Sequence, residues 1–332
     1  MHVVVVGAGV SGLSCAIRLV EHGHRVQVVS EARTPLVTSD RSAAAFTPFR
    51  AAGGGRFERW TRGSFEAFCE IERRHGQEAG VRTSTMTEYY FEPFEGAPWW
   101  LGAIGEGEVL RTGIPERYGY AVRVRVPQID MRVYMPWLER RFIEGGGRFK
   151  HAHVADIDQA FESGADVVVN TSALGARELA RDARMTPIRG QIVCAPNDIA
   201  LDECYADSGQ AGESTYLFPY HDRIVLGGTY EKGVEAAVTD ERALERLVER
   251  CRTLLRETGH PRWADLARTR LSTWAGLRPA RVDGTNNADI RLEREVLPGG
   301  RIVVHDYGHA GVGVTLSWGC AGEVSDLVGT FG

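Results

Sequence analysis

The strongest constraint on this chain lies in its first fourteen residues. Val3 to Val6 is a run of four valines, and Gly7, Gly9 and Gly12 follow with G-x-G-x-x-G spacing before Leu13 opens an apolar helical pattern. The pattern predicts a buried strand, a tight turn and the start of a helix. Each glycine has a physical reason. Gly7 permits the sharp exit from the strand, Gly9 removes a Cβ where a pyrophosphate approaches the backbone, and Gly12 lets the helix pack closely on the strand. Phosphates would then sit against Gly7, Ala8, Gly9, Val10, Ser11 and Gly12, at a helix N-terminus whose unpaired N–H groups and dipole favour negative charge.

The following residues strengthen the motif. The helix continues through Cys15, Ala16, Leu19 and Val20 and stops near His22-Gly23, and a second strand is expected over Arg25 to Ser30. Glu31, followed by Ala32, stands about 20 residues past the glycines, where an acid binds a ribose hydroxyl. Strand, turn, helix, strand and acid fit one βαβ unit that binds a dinucleotide. Position alone does not separate NAD from FAD.

The 332 residues suggest one large domain or two ordinary ones, and 43% hydrophobic with 25% charged residues describes a soluble globular chain. A net charge of -5 gives no general attraction to nucleic acid or anionic membrane. The valine run is too short to span a bilayer, the start lacks a signal-peptide pattern, and the tail carries no peroxisomal or retention signal. Cys15, Cys69, Cys194, Cys204, Cys251 and Cys320 form no C-x-x-C pair, so reduced packing thiols, no metal site and a cytoplasmic location are expected.

Small and polar residues fill Thr34 to Phe49, including Thr38, Ser39 and the run Ala43-Ala44-Ala45, which suits a backbone pressed against a flat ring. Ala51 to Gly55 reads as a break. An amphipathic helix is expected over Phe57 to His75, and strands around Tyr89-Tyr90-Phe91, Trp99-Trp100-Leu101 and Ala121 to Val126. Asp130 to Glu144 reads as helix, Arg148 to Val154 and Asp166 to Asn170 as strands. A strand begins at Arg189, a polar loop is expected over Asn197 to Ser214, and strands return at Thr215 to Pro219 and Arg223 to Gly228. Ala243 to Gly259 has the clearest helical spacing in the chain, and Arg301 to His305 reads as a strand. Gly308 to Gly313 is then a second glycine-rich turn that feeds a helix through Leu316, Cys320 and Val324. Two glycine turns entering two helices, three hundred residues apart, offer two helix N-termini to one ligand.

Several blocks together resemble the D-amino-acid oxidase family of FAD enzymes, in particular its bacterial members. They are Val3 to Ser14, Thr34-Pro35-Leu36 with Thr38-Ser39-Asp40, Gly164 to Asn170, Arg189-Gly190-Gln191-Ile192, Leu226-Gly227-Gly228, Gly276 to Arg281, Ile290 to Glu295, and His305-Asp306-Tyr307-Gly308-His309 with Gly311, Gly313, Thr315, Trp318 and Gly319. The resemblance implies an α/β fold. A Rossmann-type FAD-binding domain (1–50, 145–188 and 282–332) would be interleaved with a substrate domain on a mixed or antiparallel sheet (51–144 and 189–281). It also implies that Gly7, Gly9, Gly12 and Glu31 hold the ADP half, that Thr38, Ser39, Ala44 and Ala45 lie along the pyrophosphate and ring, that Val154 and Ser172 are adenosine-side positions, and that Ala310, Gly311, Val312, Gly313, Val314 and Thr315 line the flavin's pyrimidine edge.

The implied reaction moves a hydride from the Cα of a D-amino acid to flavin N5. The imino acid hydrolyses to a 2-oxo acid and ammonia, and O2 reoxidises the flavin to give hydrogen peroxide. Arg278 matches the family's carboxylate-binding arginine, and a guanidinium fork suits two carboxylate oxygens. Arg281 is the competing arginine and reads as structural. Tyr216 matches the tyrosine that bonds the same carboxylate, with Tyr220 as the alternative if the register differs. Gly311 matches the carbonyl that accepts from the substrate amine, and no side chain is required as general base. His305 and His309 read as structural. A helix N-terminus near Thr315 would stabilise charge at flavin N1 and C2 carbonyl.

The chain departs from the family at Phe46 and Phe49, which stand where a Trp and a Tyr are usual, at Ser172-Ala173 in place of Thr-Gly, at Arg41, an unexpected charge beside the flavin loop, and in the lid segment Tyr205 to Ser214, which offers Gly212 or Glu213 near the lid tyrosine's position. The mapped segments carry no added basic group for a second substrate carboxylate, which favours a neutral or apolar side chain. A homodimer is compatible with this reading. Three other readings stay open: a related flavin amine oxidase acting on glycine, an N-methyl amino acid or a biosynthetic intermediate; an NAD-dependent dehydrogenase; and a non-catalytic flavin-binding partner.

Overall fold

A computed structural model describes residues 1–48, 54–105, 107–210, 213–282 and 289–329. The expectations for Phe49, for Gly212, for most of the Ala51 to Gly55 break and for the tail fall outside these residues. The first half of the chain runs β1 (His2–Val6), α1 (Val10–Glu21), β2 (Arg25–Ser30), β3 (Ala44–Ala45), α2 (Gly55–Ala79), β4 (Val81–Tyr90), α3 (Leu101–Ile104), β5 (Gly107–Leu110), β6 (Tyr120–Ile129), α4 (Met131–Glu144), β7 (Arg148–His151), α5 (Ile157–Phe161) and β8 (Val167–Asn170). It continues with α6 (Ala176–Leu179), β9 (Met185–Pro196), β10 (Cys204–Gln210), β11 (Glu213–Pro219), β12 (Arg223–Gly227), β13 (Glu231–Lys232), α7 (Glu241–Glu257), β14 (Ser272–Arg281), β15 (Arg291–Val296), β16 (Ile302–Tyr307) and α8 (Gly313–Gly329).

The strands form two sheets. The first has six strands in the order β15-β16-β8-β1-β2-β7. β1 pairs in parallel with β2 and β8, β2 with β7, and β16 with β8; only β15 runs antiparallel. A parallel strand covered on both faces must be apolar throughout. Val3 and Val5 accordingly lie in one core cluster while Val4 and Val6 lie in another, all of them buried. Parallel pairing also brings every strand end to one edge. The residues after β1, β2, β7, β8 and β16 therefore meet although they are far apart in sequence.

The second sheet has ten strands and is mixed. Its order is β13-β9-β12-β11-β10-β4-β6-β3, with β14 on β9 and β5 on β6. β10 pairs with β4 in parallel, and the other pairs are antiparallel. One face packs under the apolar stripe of α7, through Leu244, Leu247, Cys251 and Leu255. The other face, carrying Met86, Ala206, Tyr216 and Phe218, turns toward the first sheet.

Two local expectations are corrected. The stretch expected as a polar loop over Asn197 to Ser214 contains β10, whose polar residues are held by pairing with β4 and β11. The aromatics Trp99-Trp100-Leu101 form a turn leading into α3 rather than a strand, and Trp100 and Leu101 are buried there.

α8 is gripped by two helices through three hydrogen bonds. Trp318 Nε1 donates to Tyr134 Oη of α4 at 2.7 Å, Trp60 Nε1 of α2 donates to Glu323 at 2.7 Å, and Gly319 N donates to Ser64 Oγ of α2 at 2.8 Å. At Gly319 the helices approach so closely that a Cβ would collide with the Trp60 carbonyl. Gly319→Ala should therefore destabilise the protein by about 1–3 kcal/mol through overpacking, read as a lower urea midpoint; an unchanged midpoint would show that α2 and α8 can separate without cost.

Candidate active site

The strand ends of the first sheet and the inner face of the second enclose one cavity of ≈ 670 Å³. Every residue assigned a binding role from the sequence lines it: Gly7 to Gly12, Glu31, Ala32, Thr38, Ser39, Ala44, Ala45, Val154, Ser172, Tyr216, Arg278 and Ala310 to Thr315.

At one end stands the N-terminal turn. Gly7 has φ +114°, a region that disfavours any other residue, and a Cβ on Gly12 would strike the Gly7 carbonyl. α1 starts at Val10 with Gly9 as its N-cap and no capping side chain from Gly9. Ser39 Oγ instead accepts from Val10 N at 3.0 Å, so this serine already satisfies one amide of the helix end. Glu31 follows β2 and contacts His153 beside Val154. Ser172 Oγ donates to Asn170 Oδ1 at 2.7 Å, which fixes the turn after β8.

In the middle, Ala44 and Ala45 form β3 and pair with Ile129 and Gln128 of β6, so a flat wall of small residues borders the cavity. Phe46 points away from it into the core, edge-on to Phe65 and Phe68. Arg41 lines the cavity and donates to the Ala275 carbonyl at 3.3 Å.

The far end is built on β9, β11, β12 and β14. The Arg278 Nη1 donates to the Thr229 carbonyl at 3.0 Å, and its guanidinium lies across Gly190, where a Cβ would collide with it. Tyr216 likewise lies over Gly227, whose Cβ would collide with the ring. The two side chains meet within hydrogen-bonding reach; burial raises the Tyr216 phenol pKa, and the neighbouring Arg278 acts in the opposite sense. Among the described residues, no carboxylate forms an ion pair with Arg278, whereas Arg281 pairs with Asp182 at 2.7 Å and Asp289 at 2.5 Å. Tyr220 is fully engaged elsewhere, accepting from Ala44 N and donating to the Ile129 carbonyl. Glu213 pairs with Arg250.

The final turn is tied to the same strand. Ala310 N donates to the Pro279 carbonyl at 2.9 Å, and Ala280 bridges to His309. A Cβ on Gly311 would lie 3.7 Å from Arg278 Cδ, so Gly311 is a direct neighbour of the arginine. α8 begins two residues later, at Gly313, and its positive end abuts the cavity. His309 sits 3.1 Å from Asp306, and His305 bonds Glu295 at 2.9 Å.

One lining group was not identified from the sequence. Glu88 is 3% exposed, donates nothing when ionised, and accepts from Tyr90 Oη at 2.8 Å. Burial, reinforced by the nearby Asp207, outweighs the Tyr90 bond and pushes its carboxyl up to about 7. Its sequence context, Thr87-Glu88-Tyr89, gives no hint of burial.

A family model described as FAD dependent oxidoreductase matches residues 2–327. The chain is 39% identical to a D-amino-acid oxidase of Rubrobacter xylanophilus over 98% of this chain and 95% of that protein, and 36% identical to a D-amino-acid oxidase of Streptomyces coelicolor over 98% and 96%. Glycine oxidases from Geobacillus kaustophilus and Bacillus cereus share the fold, with TM-scores of 0.77 and 0.75 at 18% and 19% identity, over 99% of this chain and 94% and 95% of theirs.

The raised Glu88 pKa has a measurable consequence. A carboxyl raised from 4.5 to about 7 leaves stability intact below pH 4.5, and that stability is lost as pH rises through 7. Glu88→Gln should therefore gain up to about 3 kcal/mol relative to wild type between pH 5 and pH 8, measured by urea unfolding at both pH values; a pH-independent difference would place Glu88 in a solvated, unshifted site. A helix end with only one amide capped by a side chain, a wall of alanines and an arginine without a carboxylate partner among the described residues fit an extended flavin dinucleotide with a small anion beside it, and the chain belongs to the FAD dependent oxidoreductase family.

Proposed function

We propose that this chain is an FAD-dependent D-amino-acid oxidase that converts a D-amino acid, through the imino acid, to a 2-oxo acid, ammonia and hydrogen peroxide. The observation that carries the substrate half is Arg278. It is a permanent cation in a cavity wall, with Tyr216 and Gly311 beside it and no carboxylate partner among the described residues. A half-buried guanidinium of this kind, without a carboxylate of its own, favours a bidentate carboxylate. The cofactor half rests on the family and on the cavity that joins this arginine to the start of α1.

FAD, when bound, supplies the hydride acceptor and passes the electrons to O2. The residues that would hold it are Gly7 to Gly12, Glu31, Ala32, Thr38, Ser39, Ala44, Ala45, Val154, Ser172 and Ala310 to Thr315. The chain's own task is placement. Arg278 and Tyr216 fix the substrate carboxylate, and the Gly311 carbonyl accepts from the α-amine. Two anchored groups leave Cα with one orientation, which supplies the entropic part of catalysis. An amine bound neutral becomes the iminium directly when Cα gives up its hydride, and water then displaces ammonia, so no side chain acts as general base. The start of α8 provides fixed partial positive charge where negative charge develops. Met86, Ala206 and Phe218 give the substrate side chain an apolar wall.

Arg278→Met should raise KM for D-alanine about a hundredfold or more, because truncating one partner of a desolvated charge pair leaves the other unpaired. FAD absorbance should be retained. Peroxide release from D-amino acids, L-amino acids, glycine and sarcosine checks the reading. No peroxide from any D-amino acid, or an Arg278→Met enzyme with unchanged KM, would overturn it.

A further inference from the structure

The cavity carries a second ionisable group without an ion-pair partner among the described residues, and its position follows from strand register. Glu88 of β4 stands opposite Ala206 of β10, and Ala206 stands opposite Tyr216 of β11. Residues in register across a sheet point to the same face. Glu88, Ala206 and Tyr216 therefore form one row on the cavity wall, and all three line it. Two strand spacings separate the backbones of Glu88 and Tyr216, roughly 10 Å. The residue between them is alanine, so the floor of the row is open. Tyr216 lies over Gly227, on the side away from Ala206. The gap between Tyr216 and Glu88 is thus lined by a methyl group, with Met86 and Phe218 nearby.

The acids at this wall differ in what satisfies them. Asp207 also lines the cavity, but its Oδ1 accepts from Gly209 N at 3.0 Å and Thr215 N at 2.9 Å, so it is committed to the β10–β11 hairpin. Glu88 has one phenol partner, Tyr90, and among the described residues no Arg, Lys or His pairs with it. Tyr90 itself is stacked on Tyr120, with ring centroids 4.5 Å apart, so the partner is fixed and cannot follow the carboxylate elsewhere. A buried acid without a cation is expensive. Alanine, methionine and phenylalanine beside it offer nothing to reduce that cost, whereas a ligand cation would.

We propose that Glu88 is a side-chain subsite that selects D-amino acids carrying a terminal cation, an amine or a guanidinium, on a chain of three or four methylenes. The proposal rests on the D-amino-acid oxidase reading above, which sets the carboxylate at Arg278 and Tyr216. A substrate held there reaches along the Tyr216–Ala206–Glu88 row with its side chain, its methylenes crossing Ala206 and its cation meeting the Glu88 carboxylate. The same acid repels a second carboxylate, so D-glutamate and D-aspartate are poor substrates. This departs from the neutral or apolar side chain expected from the sequence, which rested on the lack of basic groups and did not include Glu88.

The test compares D-lysine, D-arginine, D-norleucine and D-glutamate by peroxide release with FAD-loaded wild type, Glu88→Gln, Glu88→Lys and Tyr90→Phe. D-Norleucine keeps the four side-chain carbons of D-lysine and lacks its terminal amine. In wild type, kcat/KM for D-lysine should exceed that for D-norleucine, and D-glutamate should be the weakest. Glu88→Gln should lower the D-lysine to D-norleucine ratio at least tenfold, chiefly through KM for D-lysine. Glu88→Lys should raise the D-glutamate to D-lysine ratio at least a hundredfold. Tyr90→Phe keeps the carboxylate and should keep the ratio within a fewfold, which a role limited to bracing Tyr90 would not produce. Should either Glu88 variant fail to fold, judged by FAD absorbance and melting temperature, the wild-type ranking and Tyr90→Phe still decide. The subsite is overturned if wild type oxidises D-norleucine better than D-lysine, or if Glu88→Gln leaves their ratio unmoved. If wild type oxidises none of the four, nor D-alanine, the oxidase reading fails instead.

Discussion

The site depends first on parallel pairing in the smaller sheet. In a parallel pair the strands share direction, so their C-terminal ends share an edge. β1, β2, β7, β8 and β16 end within one row of neighbours, and Gly7, Glu31, Val154, Ser172 and Gly311 follow these strands and line one cavity. The valines that make β1 a buried strand are therefore also what brings residue 7 to residue 311. A polar residue at Val4 or Val5 would need a partner on a face that offers none. The glycine turns then act on a geometry already set: Gly7 releases the strand, and Gly12 lets α1 lie against that release.

The larger sheet contributes through missing side chains as much as present ones. Arg278 occupies the space a Cβ would take at Gly190, and Tyr216 the space at Gly227. Both large polar groups lie flat on a sheet instead of standing into the cavity, which leaves volume for substrate between them and the alanine wall. β14 carries this arrangement to the final turn, because Pro279 accepts from Ala310 and Ala280 bridges His309. The arginine's strand and the turn that leads into α8 are consequently tied to each other. α8 is in turn held by Trp60, Ser64 and Tyr134. Helices α2 and α4, from the chain segment that also supplies the larger sheet, thus brace an element that serves the smaller one.

Much of this was legible in the sequence, and the reasons are local. Glycine spacing after an apolar run is a backbone requirement and survives without tertiary context, as does the heptad-like stripe of α7. Arg278, Tyr216 and Gly311 were reached through motif order, and they lie together as neighbours of one cavity. What escaped notice depends on sheet order. β10 is polar in sequence, and its strand character comes from neighbours on both sides. Trp274 to Arg281 contains Gly276 and Pro279, which mask a strand, yet β14 pairs with β9 over ten residues. Glu88 is the clearest case. A glutamate among threonine and tyrosines reads as a solvent-facing strand residue, and its burial follows from a parallel β4–β10 pair joining positions over a hundred residues apart. No periodicity reports such a pairing.

The same sheet order explains why Arg278 and Glu88 do not neutralise each other. Glu88 is buried and Arg278 half-buried, both line one cavity, and neither has an ion-pair partner of opposite charge among the described residues. Direct contact would stabilise the fold and close the site. Register prevents it: Glu88 sits two strands from Tyr216, whose phenol lies beside Arg278, and the intervening Ala206 is too short to bridge. The fold therefore stores two unmet electrostatic demands at a fixed separation, a cost that native proteins carry where a ligand relieves it. A zwitterion-length ligand with a carboxylate at one end and a cation at the other relieves both at once. A ligand with two carboxylates relieves one and aggravates the other. Discrimination of this kind comes from the penalty on the wrong ligand as much as from the gain on the right one, and it needs no lid or moving part, only the spacing of strands in a sheet.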